Sequence, residues 1–151
     1  MTSKARTLIA MFGALVNALT GLRLLWFSLP SVAIAIRDYA ATASGGIGAV
    51  SVGVDVVFEA YAFLAVASIV ANVMLRPWVR KSDATVKAIH RTQRWAIVLA
   101  FVVMIAGAVG FTMMPGPMAV LLVPMSGVVW GVQFLLTAAL LGMYALRPAK
   151  P

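Results

Sequence analysis

Apolar residues along the chain gather into four long runs with short polar breaks between them. The runs cover residues 8–36, 47–75, 95–114 and 118–146. Each is at least as long as the about 20 residues that carry a helix across about 30 Å of hydrocarbon, at about 1.5 Å per residue. Runs one, two and four are longer than that minimum, so they are expected to tilt, kink or protrude. Inside lipid every backbone N–H and C=O must be bonded within its own segment, which makes these runs helices. The residue-by-residue alternation of a membrane barrel is absent from them. The pattern predicts one transmembrane domain over residues 1–151, an all-α four-helix bundle with helices at about 8–36, 47–75, 84–114 and 118–146.

The breaks sharpen this picture. Arg37, Asp38, Ser44, Gly45 and Gly46 make a polar turn region after the first run. Met114, Pro115, Gly116 and Pro117 form a tight hairpin, because proline and glycine stop helices. Residues 76–94 are the one substantial hydrophilic stretch. Within it Ser82 or Asp83 can cap a helix that continues through Val86, Ile89 and His90 into the third span. Lys4 and Arg6 before an apolar run, with Ala33-Ile34-Ala35 beyond it, raise the question of a signal peptide. The run is too long for a signal core and Arg23 interrupts it, so it reads as a retained helix.

Composition changes the picture in one respect. Hydrophobic residues make up 63% of the chain and charged residues 11%, against roughly 45–50% and 25% in soluble domains. Lipid, not water, is therefore the expected solvent for most side chains. The net charge of +8 invites a nucleic-acid reading, but the positions of the charges exclude it. Lys4 and Arg6 lie in one tail, Arg147 and Lys150 in the other, and Arg76, Arg80, Lys81, Lys87, Arg91 and Arg94 lie in the 76–94 loop. The first and third connections hold only Arg37. This is the positive-inside pattern, and it places both termini and the basic loop on the cytoplasmic side. The membrane expected is the plasma membrane, and the basic loop is expected to meet anionic lipid headgroups or a cytoplasmic partner. The chain has no cysteine, which rules out disulfides and thiolate chemistry.

Three charged residues fall inside the runs: Arg23 in the first, Asp55 and Glu59 in the second. Such a residue costs about 2.5 to 3.5 kcal/mol at a helix centre and usually faces a polar interior. Counting inward from the basic ends, Arg23 lies about 22 Å deep, Glu59 about 24 Å and Gln133 about 20 Å. Asp55 shares a face with Glu59. The expectation is a buried polar cluster of Arg23, Asp55, Glu59 and Gln133, with the first two helices as antiparallel neighbours. Such a cluster either pins helix register or lines a pathway for an ion, proton or ligand.

Gly127 and Gly131 form a GxxxG, and Ala106 with Gly110 a similar small face; both permit close helix contact within the bundle or with a partner. Pro30 and Pro124 fall inside spans and can kink them. Trp26, Trp78, Trp95 and Tyr144 suit the membrane interface. Trp130 lies deeper, where it packs the core or stacks on a ligand. His90, the single histidine, reads as a solvated loop residue and cannot by itself build a metal site.

No catalytic, metal or cofactor motif is complete in this sequence. The reading that asks least of the residues is a non-catalytic subunit of a larger membrane complex. A small oligomeric channel or transporter using Asp55 and Glu59 is the alternative. A membrane enzyme or binding protein for a lipid or small hydrophobic ligand comes third.

Overall fold

The computed structural model of the chain describes the backbone of residues 3–42, 54–113 and 117–146 and, within these, the side chains of residues 4–37, 66–107, 109, 122 and 124–146. Every described element is helical apart from a three-residue turn: α1 (Ser3–Thr42), α2 (Val54–Arg80), α3 (Ala84–Met113) and α4 (Pro117–Leu146). Three helices are long and apolar enough to cross a membrane, over Lys4–Arg37, Ala84–Gly107 and Pro124–Leu146, with mean hydropathies of 1.8, 1.3 and 1.7. α2 is not among them, and its side chains over residues 54–65 lie outside those described. Three apolar helices of spanning length point to a membrane protein.

The basic stretch 76–94 departs from an extended loop. α2 runs on to Arg80 and α3 begins at Ala84, leaving only residues 81–83 between them. The ends are held locally. Ser82 donates through its hydroxyl to the Trp78 carbonyl (2.9 Å), and the Lys81 N–H donates to the same oxygen (3.1 Å). Asp83 is the N-cap of α3, its carboxylate accepting from the Val86 N–H at 3.0 Å. A helix whose own ends are satisfied in this way needs no loop to carry its hydrophilic residues.

α4 is the central helix. α1 packs along one side of it and α3 along another, α2 touches α3 and α4, and no contact joins α1 to α2 among the described residues. The sequence reading set α1 beside α2. Hydropathy runs along one helix at a time and carries no information about which helix is the neighbour; side-chain volume decides that, and the small side of α1 fits α4.

Direction follows from paired residues. Gly13 meets Leu141 and Gly21 meets Gly131 and Leu135, so α1 and α4 are antiparallel. Gln93 with Thr137 and Phe101 with Trp130 make α3 antiparallel to α4. Ser68 with Gln133 and Trp78 with Tyr144 make α2 parallel to it. The start of α1, the turn at 81–83 and the end of α4 therefore share one end of the molecule, together with the exposed side chains of Lys4, Arg6, Arg76, Arg80, Lys81, Lys87, Arg91 and Arg94.

Burial is inverted relative to a water-soluble helix. On α1 the buried or half-buried positions Ala14, Gly21, Ser28 and Ala35 recur every seven residues and all are small. Leu8, Phe12, Leu19 and Trp26 are exposed, Trp26 to 78%. Lipid tails are as apolar as leucine, so large side chains gain nothing by hiding from them, and helices associate through close packing and hydrogen bonds instead. A seven-residue repeat is close to two helical turns, so it keeps these small residues on one side of α1. Two apolar clusters flank α4: Ala100, Trp130 and Phe134 in one, Leu75, Val79, Val86 and Leu140 in the other.

Candidate functional site

Four features of the described residues bear on function: a glycine seam, a neutral polar layer, an aromatic core and one outward-facing arginine.

The seam lies between α1 and α4. A Cβ placed on Gly21 would stand 2.8 Å from the Gly131 carbonyl oxygen, and one placed on Gly131 would stand 2.8 Å from Leu25 Cγ. Neither distance is tolerable, so glycine at both positions is what lets the two backbones approach. Gly131 of the GxxxG is thus occupied within the chain, and Gly127 is buried. Ala106 is exposed on α3, whereas Gly110 falls outside the described side chains.

The polar layer joins α2, α3 and α4. Ser68 donates to Gln133 Oε1 (3.3 Å), and Gln133 Nε2 donates to Thr137 Oγ1 (2.9 Å). Gln93 Nε2 donates to the same hydroxyl oxygen at 2.7 Å, and Asn72 Nδ2 donates to Gln93 Oε1 at 2.7 Å. Thr137 passes its own proton to the Gln133 carbonyl at 3.0 Å. A hydroxyl has one donor and two acceptor sites, and all three are used here. Ser68, Gln93, Gln133 and Thr137 are buried, Asn72 half-buried. His90 is also buried, its Nε2 at 3.5 Å from the Asn72 carbonyl oxygen, which corrects the expectation of a solvated loop residue. It sits one helical turn before Gln93 on α3, so the side that turns Gln93 inward turns His90 inward too.

Of the polar cluster expected from sequence, Gln133 is in this layer and Arg23, the other member with a described side chain, is not. Asp55 and Glu59 stand on α2, and their side chains lie outside the described residues. Arg23 is exposed on α1, two residues past Gly21 and so turned away from α4. Its guanidinium carbon lies 6.0 Å from the centroid of the Phe27 ring, the outer limit of a cation–π contact. No ion pair to Arg23 occurs among the described residues.

Ser68, Asn72, Gln93 and Thr137 escaped the sequence reading because it followed charges. A signal was present. Ser68 with Asn72 and Gln133 with Thr137 are spaced by four, and His90 with Gln93 by three, each pair forming one polar helix face within or beside an apolar run.

Trp130 is fully buried. It meets Phe101 edge-on at 5.3 Å and stacks with Phe134 at 5.9 Å. Its indole N–H has no acceptor among the described residues. An unpaired buried donor costs about 1–3 kcal/mol. Trp130→Phe removes that cost along with part of the ring's packing, and the two largely cancel. We expect a stability change below about 1 kcal/mol in chemical unfolding of the micelle-embedded protein. A loss well beyond this would mean that the N–H has a partner in the membrane.

Arg76, Arg80, Lys81, Lys87, Arg91 and Arg94 are all exposed at the basic end, beside the Trp78–Tyr144 edge contact at 5.4 Å. The described residues contain no group of three or more His, Cys, Asp or Glu that could hold a metal ion. What the described residues define is an all-helical chain with three helices long and apolar enough to cross a membrane and a hydrogen-bonded layer of uncharged polar side chains between helices. No protein-family model, curated protein or solved structure matches the chain.

Proposed function

We propose that the chain is a non-catalytic subunit of a membrane complex, crossing the bilayer four times with both termini and the basic turn cytoplasmic. The outward side of α1 is its docking surface. Orientation rests on the positive-inside rule applied to the basic end, and the plasma membrane is the expected location. The observation that carries the docking reading is Arg23. It lies in the middle of an apolar helix, on the side opposite the α4 seam, with exposed Leu19, Leu22, Trp26 and Phe27 around it. An arginine near mid-bilayer costs about 2.5–3.5 kcal/mol without a partner. A partner helix bearing a carboxylate at that depth offsets the cost, and the flanking leucines and aromatics supply its packing surface. The alternative of ion or proton transport rests on Asp55 and Glu59, whose side chains lie outside the described residues.

The test is affinity purification from the native membrane after gentle extraction. Arg23→Leu should lose a co-purifying membrane protein that the wild type retains, and Arg23→Lys should keep a fraction of it. Wild-type protein that purifies alone, or an Arg23→Leu variant with an unchanged partner, overturns the reading.

A further inference from the structure

α3 carries a second outward-facing surface, distinct from the α1 side. Lys87, Arg91 and Arg94 recur at intervals of four and three, and all are exposed. At about 100° per residue, Val98, Val102, Ile105 and Val109 continue the same face. All four are exposed as well. The buried face of α3 is a different one, made by Val86, His90, Gln93, Ile97 and Ala100. One lengthwise strip of this helix is thus cationic for its first two turns and aliphatic for the next four. Trp95, 70% exposed, stands beside the point where the character changes. Tryptophan marks the headgroup level of a membrane.

We propose that this strip binds an anionic phospholipid of the leaflet at the basic end, its phosphate held between Arg91 and Arg94. Its acyl chain lies along Val98, Val102 and Ile105. A guanidinium presents a planar fork of donors that matches phosphate oxygens, and two of them one turn apart accept one phosphate between them. From Arg94 to Ile105 is about 16 Å along the axis, close to half of the roughly 30 Å hydrocarbon core. The strip therefore fits one leaflet's lipid, head to tail. Arg76, Arg80 and Lys81 share this end and raise the positive potential there. Asp83, the acid in the adjoining turn, is engaged as the α3 cap. The proposal requires membrane insertion alone and is independent of docking through Arg23.

The test is native mass spectrometry of the full chain released from nanodiscs of phosphatidylglycerol and phosphatidylcholine in equal parts. The wild type should retain phosphatidylglycerol preferentially. A basic residue in direct contact with an anionic headgroup contributes about a five-fold preference, so Arg91→Gln with Arg94→Gln should lower retention by an order of magnitude or more. Lys4→Gln with Arg6→Gln, at the same end on α1, should leave most of it. Equal retention of both lipids by the wild type overturns the proposal. So does an unchanged level in the Arg91/Arg94 variant, or an equal loss in both variants, which would reflect the general potential and not a site. Arg23→Leu should leave lipid retention as it is, so failure of the docking reading and failure of this one are read separately.

Discussion

Gly21→Ala is expected to destabilise the protein by about 2 kcal/mol, more than any other single methyl added to a glycine on the α1 or α4 seam. The added Cβ would meet a backbone oxygen at 2.8 Å, that of Gly131, and backbone cannot step aside without moving the helix. Gly131→Ala is milder, about 1 kcal/mol, since its new Cβ meets the Leu25 side chain at 2.8 Å, which must shift but can, and a backbone oxygen, that of Gly21, only at 3.1 Å. Gly142→Ala meets nothing within 4 Å and should be neutral or slightly stabilising. The order Gly21, Gly131, Gly142 is the prediction, read by reversible unfolding in mixed micelles. Equal effects at the three positions would show that α1 is not seated on α4 as described. Large residues at Gly127 or Gly131, which the sequence alone would use to release a partner, are expected first to unseat α1.

The second large effect is expected at Thr137. Thr137→Val keeps the shape and removes the oxygen on which Gln93 and Gln133 both converge. Two buried amide donors lose their acceptor at once. In membranes each interhelical hydrogen bond is worth about 0.6 kcal/mol and at most about 1.7, because the separated helices find other partners. Only the Gln93 bond runs between helices, the Gln133 bond lying within α4, so the expected loss is about 0.6–2 kcal/mol, and Thr137→Ser should restore most of it. Gln93→Leu combined with Thr137→Val should cost less than the two separately, as members of one network do. Additive losses would dissolve the network into independent contacts.

Much of the architecture was readable before any coordinates. The apolar runs give helices because lipid leaves no other way to satisfy a backbone, and Ser82-Asp83 marks where α3 begins. Gly127 and Gly131 could be read as a packing face but not assigned an occupant, since a small face is complementary to any other small face. The partner surface on α1 was hidden in a different spacing, the seven-residue series through Gly21. The polar layer was missed for a related reason. Charges in an apolar run stand out by their cost, whereas glutamine, asparagine, threonine and serine are cheap enough to pass as incidental. Their importance comes from three helices joined in one network around a shared hydroxyl, with α2 bonded to the two glutamines that meet at Thr137, which no single segment displays. Asp55 and Glu59, the residues most prominent in the sequence, stand on α2 with their side chains outside the described residues.

The saturation of Thr137 has an electrical consequence. A chain of hydrogen bonds conducts protons only if each member can accept one on one side and release one on the other, then turn round. Amide groups do not release theirs at physiological pH, and five of the donors and acceptors here belong to Gln93, Gln133 and Asn72 side chains. With both acceptor sites of the Thr137 oxygen taken and its proton committed to the Gln133 carbonyl, that hydroxyl can relay a proton only after giving up one of its bonds. The described layer ties α2, α3 and α4 together through uncharged groups.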